Sequence, residues 1–129
     1  MYNEKVMQCF RNPKNYGKMN DADGIGKVGN AACGDVLYLY IKIKKDKGKK
    51  IIKDIKWETM GCVAAMATSS EVTELAKGKT IEEARKITNA DVAKDLELPK
   101  FKLHCSNLAA DALQAAIKDY EDKKNKKGN

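Results

Sequence analysis

Apolar and polar positions alternate most clearly from Val36 to Lys44. Leu37, Leu39, Ile41 and Ile43 fall on one side, and Val36, Tyr38, Tyr40, Lys42 and Lys44 on the other. Period two with β-branched and aromatic residues predicts a half-buried strand. Residues 45–50 surround Gly48 and predict a turn. Ile51 to Glu58 predicts a second strand with Ile51, Ile55 and Trp57 on a common face. The connection is too short for a crossover helix, so the two strands pair antiparallel. Before them, residues 3–11 read as a short amphipathic helix stopped by Asn12-Pro13. Asn15 to Gly29 is rich in Gly, Asn and Asp and predicts a loop, with a short strand near Lys27–Gly29.

After Trp57 the pattern turns helical. Val63 to Lys77 is rich in alanine and methionine, and Gly78 supplies a C-terminal stop. Thr80-Ile-Glu-Glu83 has the form of a capping box opening a short helix. Thr88 or Asn89 caps another, which ends near Leu98-Pro99. Ser106 is the expected cap of a last helix over about Asn107 to Lys123, with Leu108, Ala112, Ala115, Ala116 and Tyr120 near a 3.6 period. Strands come first and helices second. The expected class is therefore α+β: a small antiparallel sheet of about three strands with helices packed on one face. The 129 residues suit one domain over 1–129, with 123–129 a frayed basic tail.

Composition narrows the function. The net charge is +7, almost all of it from lysine. Arginine is confined to Arg11 and Arg85, and no aromatic residues interleave with a basic stripe, which argues against nucleic acid as a partner. No apolar run is long enough to cross a membrane, and no signal segment opens the chain, so a cytoplasmic protein with no membrane partner is expected.

The four cysteines are Cys9, Cys33, Cys62 and Cys105. No pair has Cys-x-x-Cys spacing, and a lysine-rich chain without a secretory signal is a poor setting for disulfides. Free cysteine is often simply a small buried hydrophobe, so the flanks carry the argument. Cys33 sits among small residues in Gly29-Asn-Ala-Ala-Cys33-Gly-Asp35, which leave the sulfur room, and Asp35 stands two residues on. Cys62 follows Met60-Gly61 where the second strand gives way to a helix, and a thiol at a helix N-terminus is favoured as thiolate. Cys105 follows the single histidine, His104, at the mouth of the last helix, with Lys102 nearby in sequence. Each position also admits a structural reading, as a turn or a buried thiol. Junctions of this kind can converge at one end of a small domain. The result would be a soft, thiolate-rich site suited to zinc, copper(I) or an iron–sulfur cluster.

Taken together the segments resemble the IscU family of iron–sulfur scaffold proteins, also found as the N-terminal module of NifU. Asn12-Pro-Lys-Asn-Tyr-Gly17 resembles the family's opening motif, and Ala32-Cys-Gly-Asp35 the first cysteine motif. Gly61-Cys62 resembles the second, continued by Thr73-Glu74 and Lys77-Gly78-Lys79. Leu96-Glu-Leu-Pro99 and Lys102-Leu-His-Cys-Ser106 resemble the third. The resemblance implies an assembly scaffold and carrier, not an enzyme. It implies a transient [2Fe–2S] cluster on Cys33, Cys62 and Cys105, with His104 or Asp35 as fourth ligand. A cysteine desulfurase would deliver sulfur as persulfide, with Cys105 the preferred acceptor, while donors supply iron and electrons. Apo-proteins would receive the cluster, and the scaffold would be a monomer or a cluster-bridged dimer.

The family's chaperone-recognition stretch, Leu-Pro-Pro-Val-Lys, corresponds here to Leu98-Pro99-Lys100-Phe101-Lys102, with Lys100 and Phe101 replacing Pro and Val; the partners implied there are Hsp70 and J-protein chaperones. Met60 stands where the family usually has an aromatic, and Cys9 lies outside the ligand set. The 43-residue step from Cys62 to Cys105 leaves no room for the extra segment of the zinc-binding SufU type. The rival functions are a zinc-binding regulator of a desulfurase and a thiol enzyme with His104 as base. The latter is disfavoured because adjacent residues point poorly for a nucleophile–base pair.

Overall fold

The computed structural model describes residues 4–30, 35–60, 63–96 and 103–127. Their order is α1 (Glu4–Arg11), β1 (Gly24–Asn30), β2 (Asp35–Asp46), β3 (Lys49–Met60), α2 (Val63–Ala76), α3 (Ile81–Arg85), α4 (Asn89–Leu96) and α5 (Leu103–Lys127). The three strands form one antiparallel sheet in the order β1-β2-β3. The α+β class with three strands is as expected.

The core lies between the sheet and the helices. Leu37, Leu39 and Ile41 of β2 are buried, and their neighbours in register on β3, Ile55 and Trp57, are fully so. From the helix side come Ala67 and Val72 of α2, Val92 of α4, and Ala109, Ala112, Leu113, Ala116 and Ile117 of α5. Burying such side chains is the main driving force for folding, at about 25 cal/mol for each Å² removed from water.

Four boundaries differ from expectation. β1 is a full strand, not a brief one, because its glycines serve packing. A Cβ built on Gly26 would lie 2.2 Å from the Ala112 carbonyl oxygen, and one on Gly24 2.3 Å from that of Ala116. Only glycine lets α5 approach this strand so closely. Second, the core residue near the start of β3 is Ile52, fully buried, while Ile51 is only half-buried. Lys42 pairs with Asp54 and Ile43 with Ile52, so Lys53 is the extra residue of a β-bulge that shifts the alternation by one. Third, the turn between β2 and β3 tightens to Lys47-Gly48, both at positive φ (53° and 82°), the conformation that matches strand twist in a two-residue hairpin.

Fourth, α5 begins at Leu103, so Ser106 lies inside its first turn and is not its cap. It also continues to Lys127, beyond the Lys123 expected, since lysine is a good helix former and no Gly or Pro intervenes before Gly128. The capping expectations at Thr80 and Thr88 hold. Thr80 and Glu83 exchange side-chain-to-backbone bonds, and Thr88 and Asp91 do the same at the start of α4.

The connection from α1 to β1 crosses the face of the sheet away from the helices. Lys42 Nζ donates to the Asp21 carbonyl at 2.9 Å, Asp23 Oδ2 accepts from the Ile43 amide, and Met19 is buried. Tyr40, which alternates with the core residues of β2, is only 6% exposed. Its hydroxyl donates to Glu58 Oε1 at 2.6 Å. Burial first, and then this bond to a carboxylate, push the Tyr40 phenol up to about 12.

Candidate functional site

The expected site residues divide into two groups. Asp35 opens β2, and His104 and Cys105 lie in the first turn of α5. The side chains of these three, together with Cys33, Cys62 and the stretch Leu98, Pro99, Lys100, Phe101 and Lys102, lie outside the described residues. Cys9 is on α1, away from the expected ligand set in sequence.

The described backbone on either side can be located. Asn30 pairs with Asp35, and Val36 pairs with Met60. The chain therefore leaves β1, re-enters β2 and leaves β3 at one end of the sheet, with α2 starting at Val63. The direction of α5 follows from its contacts. Gly24 lies against Ala116 and Tyr120, and Gly26 against Ala112 and Ala116. Two strand residues, about 6.6 Å, match about one helical turn, so α5 runs antiparallel to β1 with the axes nearly aligned. Four further strand residues, about 13 Å, lead from Gly26 to Asn30. The same rise along α5 is about nine residues, which reaches its first turn. The backbone of the first turn of α5 is thus level with the end of the sheet where β1, β2 and β3 have their Asn30, Asp35 and Met60 termini.

The helix starts at this end have a common feature. α1, α3 and α4 each carry an acidic residue in the first turn, the usual complement to the positive end of the helix dipole. α2 and α5 carry none. On the helix-free side of the same end, Tyr16, Val36, Tyr38, Glu58 and Thr59 line a hollow of about 340 Å³. Among the described residues no group of three or more His, Cys, Asp or Glu is arranged to hold a metal ion.

The segment Lys14–Gly17, part of the Asn12–Gly17 motif, has a structural role in this region that its sequence did not announce. It makes a parallel bridge to β3 at Trp57. Trp57 N donates to the Asn15 carbonyl at 3.1 Å, and Gly17 N donates to the Trp57 carbonyl at 2.9 Å. Trp57 Nε1 donates to the Lys14 carbonyl at 2.6 Å. On its other side the segment meets α2, where Lys14 N donates to Ser70 Oγ at 3.0 Å and Asn15 Nδ2 to Thr73 Oγ1 at 3.1 Å. The signal that could have exposed it was Asn15 followed by Gly17, two residue types suited to positive φ; the values are 62° and 141°.

These features define a class: a small α+β domain in which a strand-to-strand connection, a strand-to-helix junction and the start of the last helix share one end. Residues 1–127 match the NifU-like N terminal domain, and the chain belongs to that family. It is 59% identical over 127 residues to iron–sulfur cluster assembly scaffold protein IscU 1 of Archaeoglobus fulgidus, covering 98% of this chain and 80% of that one. To the iron–sulfur cluster assembly scaffold protein IscU of Escherichia coli K12 it is 50% identical over 129 residues, covering 98% of each.

Among solved structures, a protein for the SUF system from Fervidobacterium islandicum AW-1 superposes with a TM-score of 0.73 at 25% identity, covering 90% of this chain and 96% of that one. A NifU-like N-terminal protein from Brucella abortus shares the fold, with a TM-score of 0.70 at 18% identity over 94% of each chain. No helix among the described residues is long and apolar enough to cross a membrane.

Proposed function

We propose that this chain is a scaffold on which an iron–sulfur cluster is assembled and from which it is handed on, a carrier and not an enzyme. Family membership and the names of its relatives support the scaffold role. The observation that carries it to particular residues is the common end shared by the Asn30–Asp35 pair, the Val36–Met60 pair and the first turn of α5. Cys33, Cys62 and Cys105 each stand within two residues of one of these points in sequence. The absence of first-turn acids from α2 and α5 suits thiolates as the negative charges at those helix starts.

In this reading Cys33, Cys62 and Cys105 hold a [2Fe–2S] cluster, with His104 or Asp35 completing the set. An imidazole or carboxylate in the fourth position is more exchangeable than a fourth thiolate, which suits a donor better than a storage protein. Sulfur arrives from a cysteine desulfurase. The Cys105 thiolate attacks the outer sulfur of the desulfurase persulfide, so that a new S–S bond forms at Cys105, the old one breaks and the desulfurase cysteine leaves as thiolate. Each such sulfur takes two electrons to become sulfide, one from a ferrous iron that becomes ferric and one from an external donor, which together give the oxidised [2Fe–2S] core on the scaffold. The partners are then the desulfurase, iron and electron donors, and apo-proteins in the cytoplasm, with Leu98–Lys102 the candidate contact for Hsp70 and J-protein chaperones.

The same ligands would also take zinc, which outcompetes ferrous iron at many thiolate sites. Anaerobic reconstitution with ferrous iron, cysteine and a cysteine desulfurase separates the two functions. The scaffold develops visible absorption. A colourless protein that keeps tight zinc and alters desulfurase turnover is a regulator.

A further inference from the structure

Residues 14–17 do more than link α1 to the sheet, because they bind both elements that flank Cys62. β3 ends at Met60 and α2 begins at Val63, so the angle between this strand and this helix sets where the junction residue stands. Two anchors hold that angle. Trp57, five residues before Cys62, is gripped by Lys14, Asn15 and Gly17 through three backbone-directed hydrogen bonds. Ser70 and Thr73, eight and eleven residues after it, receive the Lys14 amide and the Asn15 side-chain amide. Thr73 Oγ1 in turn donates to the Ser70 carbonyl at 2.8 Å. The donor chain therefore runs from Asn15 through Thr73 into the α2 backbone, and Glu74 Oε2 lies 3.4 Å from the same Asn15 nitrogen.

Trp57, Ser70 and Thr73 are all fully buried. Buried polar groups of this kind hold a fixed geometry because leaving them unpaired is costly. Within this segment the Asn15 backbone binds the strand and its side chain binds the helix.

We propose that Asn15 is a positioning residue for Cys62: through Trp57 on one side and Thr73 on the other, it fixes the β3–α2 junction on which that thiol stands. The proposal rests on Cys62 being a ligand, but it concerns the apo-protein and is tested without iron, sulfur or a desulfurase. Failure of cluster assembly and failure of this proposal are therefore distinguishable.

The test compares alkylation rates of the four cysteines, residue by residue, by mass spectrometry of the metal-free full chain. Asn15→Gly keeps the positive φ and deletes the amide. Thr73→Val deletes the acceptor at nearly constant shape. Thr73→Ser keeps the hydroxyl and serves as the rescue. Trp57 fluorescence verifies that each chain is folded; should Thr73→Val not fold, Asn15→Gly carries the comparison.

The expected result is a change of about tenfold or more in the Cys62 rate relative to Cys9, Cys33 and Cys105 in both deletion variants, with Thr73→Ser at the wild-type ratio. A loss of stability alone opens the whole fold and moves all four rates together. Unchanged ratios, or a uniform rise, would overturn the proposal.

Discussion

Gly26 and Ala112 are in backbone contact: a side chain on the strand residue would meet the helix carbonyl 2.2 Å from its first carbon. The contact sets how closely α5 lies on β1 and carries the first turn of that helix to the end of the sheet. Gly26→Ala has no flexible neighbour to displace, since the nearest atoms are all backbone. Overpacking typically costs about 1–3 kcal/mol, and a backbone clash belongs at the upper end. Denaturant unfolding of the variant is expected to show a loss of about 3 kcal/mol, and a loss under about 1 kcal/mol would mean that the helix shifts freely.

The hairpin turn contains the opposite case. Lys47 adopts a positive φ of 53° beside Gly48, with its side chain exposed. Asn tolerates this region better than lysine does. Lys47→Asn is expected to raise stability by about 0.5 kcal/mol, read as a higher denaturation midpoint with an unchanged slope. A lower midpoint would contradict the turn assignment.

Tyr40 gives stability a dependence on alkaline pH. Its phenol is raised from 10.0 to about 12 in the fold, by burial first and then by the bond to Glu58. A group whose folded pKa lies above its unfolded one stabilises fully below the unfolded value and loses that contribution as pH rises through the folded one. The stability difference between wild type and Tyr40→Phe should therefore be constant up to about pH 10 and fall between there and about pH 12. A difference that stays flat across that window would show that the phenol titrates as in the unfolded chain.

Asp35 opens β2 opposite Asn30 and is a candidate for the exchangeable fourth position. Asp35→Ala is expected to permit assembly and to slow transfer to an apo-ferredoxin by about tenfold, equivalent to about 1.4 kcal/mol in the barrier. Transfer kinetics equal to wild type would remove Asp35 from the hand-over step.

How far the sequence revealed this molecule can be traced residue by residue. β2 was legible because Leu37, Leu39 and Ile41 are buried while Val36, Tyr38 and Lys42 are only half-buried, and periodicity reports that contrast directly. The caps at Thr80 and Thr88 were legible because their bonds are local. Ile52 was misread because a bulge at Lys53 changes the phase without marking the sequence. β1 was misread because Gly24 and Gly26 look like loop residues until α5 is laid against them.

The same division holds at the candidate site. The flanks of Cys33, Cys62 and Cys105 were visible as junctions, but their common end depends on the Val36–Met60 register and on the run of α5 along β1. Those are long-range facts with no local signature. The hold of Asn15 on Thr73 spans 58 residues and was invisible for that reason.

The most direct test of the scaffold role is Mössbauer spectroscopy after anaerobic reconstitution with ferrous iron, cysteine and a cysteine desulfurase. Wild type would be compared with the Cys33→Ala, Cys62→Ala, Cys105→Ala triple variant, and apo-ferredoxin added to each. A scaffold gives a [2Fe–2S] signal in the wild type that is absent from the triple variant and moves to the ferredoxin. An equal signal in both proteins, or none in either, would contradict that role.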